Sequence, residues 1–128
     1  MTEVQIPPGI RHEKELIVSA DHSALKFGSG MVDVFATPAM IALLESVAME
    51  SILSFIPDGY TTVGVEIHIK HLKATPTGRK VKGESYLRKV TGNKLNFEVH
   101  AWDEKGLIGI GTHTRVVVEK AAFYEKLK

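Results

Sequence analysis

Cysteine is absent from the 128-residue sequence, and its absence excludes several kinds of site. A chain without thiols has no disulfide scaffold, no thiolate zinc site and no cysteine nucleophile. Such a chain suits a reducing compartment, so we expect a cytoplasmic protein.

Long runs of positive charge are absent as well. The formal net charge is +1, and lysine and arginine never occur more than two in a row. Neither a nucleic-acid partner nor a polybasic membrane contact is therefore expected. The N-terminus lacks the apolar core of a secretory signal, and no apolar segment is expected to reach the roughly 18 residues of a membrane span.

The chain has enough apolar residues to form one hydrophobic core. Apolar residues make up 44% of the chain and charged residues 24%. We find no repeat, low-complexity tract or change of composition that marks a domain boundary. Residues 1–128 are expected to form a single domain with loose ends at QIPPG and YEKLK.

The segment VFATPAMIALLESVAMESILSF, at 34–55, predicts a long helix that is apolar on most of its surface. Thr37 before Pro38 indicates the helix start, with threonine as N-cap and proline in the first turn. At about 100° per residue, Glu45 falls in an apolar stripe, whereas Glu50 lies among serines as a solvated charge. A buried Glu45 needs a partner or an adjoining cavity, unless it reaches solvent through a gap.

Strand patterns stand on both sides of this helix, one before it and four after it. The later connections are too short for parallel crossovers, so the strands must be antiparallel. A helix with so much apolar surface requires a sheet that curls around it. The predicted fold class is α+β, with an antiparallel sheet of about five strands wrapped around one long central helix. Its edge strands favour a homodimer with a longer continuous sheet.

Alternation along the strand after Thr61 places one histidine on the inward face. Val63, Val65, Ile67 and Ile69 alternate with polar residues and glycine, which puts His71 at the inward end of that row. A histidine and a carboxylate in one interior can act as an acid–base pair. A satisfied core histidine is the simpler interpretation.

Other candidate residues are weaker. Thr37 adds a hydroxyl near the free N–H groups of the helix start, which can stabilise an oxyanion, although a plain N-cap explains it equally. His113, in GIGTHTRVVV, is interpreted as lining a dimer seam or a ligand groove. No spacing of histidines and carboxylates predicts a metal site.

Three segments resemble one family over nearly the whole chain: FATPAMIALLE, GVEIHIKHLKATPTG and GIGTHTRVVV. They are similar to hot-dog fold thioesterases of the fluoroacetyl-CoA thioesterase-like family. The family's Thr, Glu and His triad matches Thr37, Glu45 and His71, and a family glycine matches Gly64.

The resemblance implies hydrolysis of an acyl-CoA thioester, with the CoA arm in a cleft between subunits. His71 would be the general acid/base, Glu45 the nucleophile or the base that activates water, and Thr37 the group that positions the thioester. No cofactor is implied, because CoA is part of the substrate.

The segment 21–35 is expected to be irregular chain that covers the site. The fluoroacetate-specific family member has an aromatic-rich lid, whereas this segment offers only Phe27 and Phe35 as candidate substrate-binding residues beside Gly64. A small or short-chain acyl-CoA is therefore expected. The alternatives are a non-catalytic acyl-CoA-binding or sensing dimer and a hot-dog hydratase or dehydratase.

Overall fold

A five-stranded antiparallel sheet lies against one long helix in the computed structural model, which describes residues 4–128. The strands are β1 (Arg11–Ile17), β2 (Tyr60–His71), β3 (Lys80–Thr91), β4 (Lys94–Asp103) and β5 (Gly106–Glu119). Their order is β1-β3-β4-β5-β2, so that β1 and β2 form the two edges. All four pairings are antiparallel, which confirms the predicted fold class.

The helices are α1 (Ala24–Phe27), α2 (Thr37–Ser51) and α3 (Lys120–Glu125). Helix α2 ends before the predicted Phe55 and continues only as a 3₁₀ turn at Leu53–Phe55. It contacts β1, β2, β3 and β4. Its buried side chains form the centre of the core: Ala39, Met40, Leu43, Leu44, Val47 and Ala48.

The start of α2 differs from the prediction. Ala36, not Thr37, is the N-cap, and no side chain makes a capping hydrogen bond. The backbone N–H groups of Phe35 and Ala36 donate to Thr75 O and His22 O, which holds the chain extended through Ala36. The prediction that Thr37 caps the helix is therefore wrong, and its hydroxyl is available for another bond.

The inward face of β2 also differs from the prediction. A β-bulge between Gly64 and Glu66 inserts Val65 as an extra residue, and Val65 is 58% exposed. Because a bulge reverses the alternation, Thr62 and Gly64 face inward before it, and Ile69 and His71 face inward after it. The prediction that Val65 faces the core is wrong, although His71 keeps its predicted side.

The predicted alternation in β4 is confirmed. The buried residues of this strand are Leu95, Phe97, Val99 and Ala101, each separated from the next by a half-buried residue. Strand β4 lies at the centre of the sheet, between β3 and β5, where both neighbours fix its register. A central strand therefore obeys the simple period of two that the bulged edge strand β2 breaks.

The N-terminal segment and Glu50 make contacts that the sequence did not predict. Val4 and Ile6 belong to the core, and α3 includes Tyr124 and Glu125 of the YEKLK segment. Glu50 is half-buried and accepts a 2.9 Å bond from Lys14 Nζ, with His12 at 3.4 Å. The bond from Lys14 lowers the pKa of Glu50. Strand β1 lies against this helix face and supplies both partners.

The stretch Thr37–Phe55 reaches the length and hydropathy of a membrane-spanning helix, with a mean hydropathy of 1.4. This corrects the expectation that no segment is long and apolar enough. The central helix of a wrapped sheet needs the same composition, because strands cover it on several sides. Here β1, β2, β3 and β4 each make several contacts with α2.

Candidate active site

Two of the predicted catalytic residues meet where the start of α2 approaches the end of β2. Thr37 Oγ1 lies 2.8 Å from His71 Nδ1, within hydrogen-bond distance. Thr37 is exposed and His71 is half-buried. The hydroxyl that is not used as a helix cap therefore engages the imidazole.

A cavity of about 350 Å³ opens beside this pair. One side is formed by residues of the segment between α1 and α2, including Phe35, and the other by the chain after β2, including Leu72 and Lys73. The predicted covering segment thus contributes to the cavity through Phe35. Phe27 lies elsewhere, on the surface, and is 48% exposed.

His71 has the properties of a general base. Burial lowers its pKa, and the backbone of Lys73 opposes that effect. Its Nε2 atom is buried and has no hydrogen-bond partner of normal geometry within residues 4–128. The ring is therefore neutral at neutral pH, with one nitrogen occupied by Thr37 and the other available to a substrate or to water.

Glu45 lies farther along α2, half-buried, beside Gly64 of β2. A Cβ on Gly64 would lie 3.0 Å from Glu45 Oε2, 3.1 Å from His113 Cε1 and 3.4 Å from Arg115 Nη1. A Cβ would press on these side chains, so glycine gives the three groups room to approach one another. The carboxylate thus has neighbours that the sequence analysis did not assign to it.

Among the described residues, no hydrogen bond or ion pair joins Glu45 to His71. His71 lies seven positions after Gly64 along β2, roughly 20 Å at about 3.3 Å per residue. Along α2, Glu45 is roughly 12 Å from Thr37. The acid–base pairing of Glu45 with His71 therefore stays a prediction, and both residues stay candidates for catalysis.

A buried polar network surrounds Glu45. His113 is 1% exposed, and its Nδ1 lies 2.8 Å from Glu66 O. Arg115 is 7% exposed. Its Nη1 lies 3.2 Å from His113 Nε2, its Nε donates to Thr62 Oγ1 at 2.9 Å, and its Nη2 donates to Thr62 O at 3.1 Å.

The charge of Glu45 reaches both of these side chains. Burial lowers the pKa of Arg115 and of His113, and the Glu45 carboxylate opposes the effect in each case by favouring positive charge. Arg115 is not among the residues predicted from the sequence, and His113 is predicted to line a dimer seam or a ligand groove. Their spacing held a signal, because His113, Arg115 and the buried Val117 share one face of β5.

An antiparallel sheet wrapped around a helix that carries a glutamate, with a threonine–histidine pair at the helix start, defines a hot-dog fold enzyme of the thioesterase class. The chain belongs to the family described as FlK, fluoroacetyl-CoA-specific thioesterase, whose model matches residues 18–121. This match confirms the family resemblance seen in the sequence.

Individual relatives agree with that membership. The fluoroacetyl-CoA thioesterase of Streptantibioticus cattleyicolor is 34% identical over 96 residues, covering 75% of this chain and 69% of that protein. A threonine-to-serine variant of the thioesterase FlK, solved with acetyl-CoA, has a TM-score of 0.89 at 27% identity, covering 95% and 96% of the two chains. A thioesterase superfamily member from Thermus thermophilus has a TM-score of 0.86 at 28% identity, covering 96% and 93%.

Proposed function

We propose that this thioester hydrolase acts on a small or short-chain acyl-CoA, with Thr37, Glu45 and His71 as the catalytic residues. The observation that supports this most directly is the 2.8 Å contact between Thr37 Oγ1 and His71 Nδ1 beside the cavity, with His71 Nε2 unpartnered among the described residues. This pair offers a hydroxyl and a neutral base at the place where an acyl group can enter.

The proposed roles follow from the chemistry of thioester cleavage. Thr37 is the first residue of α2, where free backbone N–H groups and the helix dipole stabilise an oxyanion on the carbonyl. If Glu45 attacks the carbonyl, CoA leaves as its thiolate and an acyl anhydride forms on the enzyme; neutral His71 then takes the proton of the water that opens the anhydride, and that proton passes to the thiolate. If water attacks the thioester directly, Glu45 removes its proton and His71 relays a proton to the departing CoA sulfur.

Isotope labelling distinguishes these roles of Glu45. We expect a single turnover in ¹⁸O-water to place label in the Glu45 side chain if water opens an anhydride at the enzyme carboxyl carbon. Mass spectrometry of the peptide that contains Glu45 measures this. Label in that side chain would contradict water activation as the only role.

We further propose that the complete site forms between two chains. Strand β2 is a sheet edge, and Val65 and Leu72 near it are 58% and 48% exposed. If β2 pairs antiparallel with its copy about a two-fold axis near Ile67, His71 of the partner subunit comes opposite Gly64. Glu45 of one protomer would then face the partner's His71, and the CoA arm would lie in the cleft between protomers.

The acyl group is proposed to be short. FlK, the relative solved with acetyl-CoA, supports a two-carbon acyl group, and a cavity of about 350 Å³ is at the small end for ligand sites. Of the two phenylalanines in the covering segment, only Phe35 lines the cavity, whereas Phe27 is exposed. We therefore do not propose an aromatic lid that selects fluoroacetyl-CoA.

We also propose where the enzyme acts and which cofactors and partners it needs. We place the enzyme in the cytoplasm, where acyl-CoA esters are available and a chain without cysteine meets no redox constraint. The chemistry assigned to Thr37, Glu45 and His71 needs no metal or other cofactor. The net charge of +1 supports a small-molecule substrate in preference to nucleic acid or a membrane surface.

A thiol-release assay over acetyl-, fluoroacetyl-, propionyl- and butyryl-CoA tests the activity. Wild type should hydrolyse at least one ester, and Glu45→Gln and His71→Ala should each lose almost all of that activity. Failure of wild type on every ester would overturn the proposed function. Full activity in both folded variants would overturn the site.

Subunit mixing tests the shared site. Glu45→Gln and His71→Ala protomers, unfolded and refolded together, should recover about a quarter of the wild-type activity, because half of the random dimers carry one intact site. Each variant refolded alone is the control, and light scattering reports the oligomeric state. An inactive mixture of correctly refolded dimers would contradict a site built from two chains.

A further inference from the structure

The hydrogen bonds of His113 fix its protonation state. Glu66 O is a carbonyl and can only accept, so the proton of the ring lies on Nδ1. Arg115 Nη1 can only donate, so His113 Nε2 must be an unprotonated acceptor. Both contacts therefore require a neutral imidazole in one tautomer.

Arg115 is held at three points. Thr62 on the adjacent strand β2 accepts from Nε and Nη2, and His113 accepts from Nη1. The same Nη1 atom faces the space at Gly64 into which Glu45 Oε2 also projects. Within residues 4–128, Arg115 and Glu45 nevertheless form no ion pair, although they approach the same point.

His113 accepts from Arg115 Nη1, and this bond together with the two to Thr62 fixes the orientation of the guanidinium beside the carboxylate. A carboxylate bound in an ion pair is a weaker nucleophile and a weaker base than a free one, because the pair stabilises its charged state. An acceptor that holds Arg115 Nη1 keeps the guanidinium close to Glu45 without neutralising it.

We propose that His113 is a positioning residue for thioester hydrolysis, which holds Arg115 so that the Glu45 carboxylate stays free to react. This inference rests on the proposed function, because it assumes that Glu45 takes part in the reaction.

The surroundings of His113 agree with this role. The Phe97 ring of β4 stacks on it at 6.2 Å between centroids, and α2 contributes Glu45 as the charged neighbour from the helix. Burial lowers the pKa of His113, which keeps the ring neutral at neutral pH, as both hydrogen bonds require. An imidazolium would carry a proton on Nε2 and could not accept from Arg115.

Two substitutions separate positioning from simple packing. In His113→Asn the side-chain amide takes the place of Nδ1 and keeps the bond to Glu66 O, but no acceptor reaches Arg115. In His113→Gln the side-chain oxygen takes the place of Nε2 and keeps the acceptor for Arg115. Because asparagine is one methylene smaller than glutamine, thermal unfolding of both variants measures their difference in packing.

Kinetics on the best acyl-CoA substrate provide the first test. We expect His113→Asn to lower kcat by about 10- to 100-fold with KM within about twofold, and His113→Gln to keep kcat within about threefold of wild type. In a Glu45→Gln background, His113→Asn should add no further loss, because its effect acts through that carboxylate. Equal losses in both variants, or wild-type kcat in His113→Asn, would overturn the inference.

A measurement on wild type keeps the inference testable even if the variants fold poorly. Nitrogen-15 NMR of the ring at neutral pH should show a protonated Nδ1 and an unprotonated Nε2 for His113. A proton on Nε2 would overturn the inference, whatever the enzyme hydrolyses. Absence of hydrolysis by wild type on every ester would instead overturn the proposed function, so the two failures remain distinct.

Discussion

His71 and His113 face the interior from adjacent strands, yet their ring nitrogens differ in hydrogen bonding. Burial lowers the pKa of both, so both rings are neutral at neutral pH. His113 uses both nitrogens, one toward Glu66 O and one toward Arg115. His71 uses Nδ1 toward Thr37, and its buried Nε2 has no partner within the described part of the chain.

The difference separates a group that reacts from a group that holds others in place. A buried polar atom without a partner costs free energy, which an enzyme accepts where a substrate completes the bond. A ring with both nitrogens bonded is fixed and has no lone pair to offer. Burial and pKa alone would have ranked the two histidines together, whereas the count of bonded nitrogens distinguishes them.

The largest expected effect is the loss of the free nitrogen. His71→Ala should lower kcat by about 10²- to 10⁴-fold, the usual contribution of a general acid or base. Its free energy of unfolding should change little, because its side-chain hydrogen bond goes to an exposed threonine. His100→Ala, on the other face of β4, is the matched control and should keep wild-type kcat. A His71→Ala enzyme with unchanged kcat would remove the distinction between the histidines.

A smaller effect is expected when the space beside His113 is filled. Gly64→Ala places a Cβ 3.0 Å from Glu45 Oε2, so the carboxylate must move, and kcat should fall by about 10- to 100-fold with little loss of stability.

Gly83→Ala is the control for Gly64→Ala. Its Cβ would lie 3.1 Å from Leu43 Cγ, in an apolar contact. Thermal unfolding should show a cost of about 1–3 kcal/mol while kcat stays unchanged. Similar kinetics for the two alanine variants would mean that Gly64 serves packing alone.

Loss of the Thr37 hydroxyl, which contacts His71, should lower kcat less than loss of the His71 ring. Thr37→Val removes the hydroxyl with little change of shape and should lower kcat by about tenfold, within the range of a lost hydrogen bond to a reacting group. Thr37→Ser keeps the hydroxyl and should stay within about threefold of wild type. Steady-state kinetics at saturating substrate compare the two. Equal activities would show that the 2.8 Å contact has no role in turnover.

The smallest effect is a dependence of stability on pH. Both histidines have a folded-state pKa below the ordinary 6.5, so the unfolded chain binds more protons between those values and 6.5. The free energy of unfolding should therefore rise with pH up to about 6.5 and then level off. Denaturant unfolding from pH 5 to 8 measures it, and His113→Gln should flatten the slope. A stability that falls over this range would contradict the lowered pKa values.

The pH dependence of kcat/KM should report the protonation of His71, the histidine with the free nitrogen. As kcat/KM reports the free enzyme, its acid limb should lie below pH 6.5 and drop about tenfold per pH unit. An acid limb above pH 6.5 would contradict a base whose pKa is lowered by burial.

Much of the site was visible in the sequence because local signals marked it. Thr37 stands before a proline at a helix start, Glu45 interrupts an apolar stripe, and His71 continues the alternation of β-branched residues along β2. These signals depend on periods of the helix and the strand, which a sequence displays directly. The family resemblance then grouped the three residues, and the comparison with known proteins confirmed the family.

The sequence by itself determined the five-stranded α+β fold, because alternation in β4, the long apolar helix and short connections allow few other arrangements. Only the tertiary structure decided which side chains meet. The bulge at Val65 has no signal in the uninterrupted alternation of β2, since it arises from pairing with β5, and it turns Gly64 toward Glu45. Glu45 therefore meets His113 and Arg115, and His71 meets Thr37, because contacts between distant segments depend on register and on the path of the chain before α2.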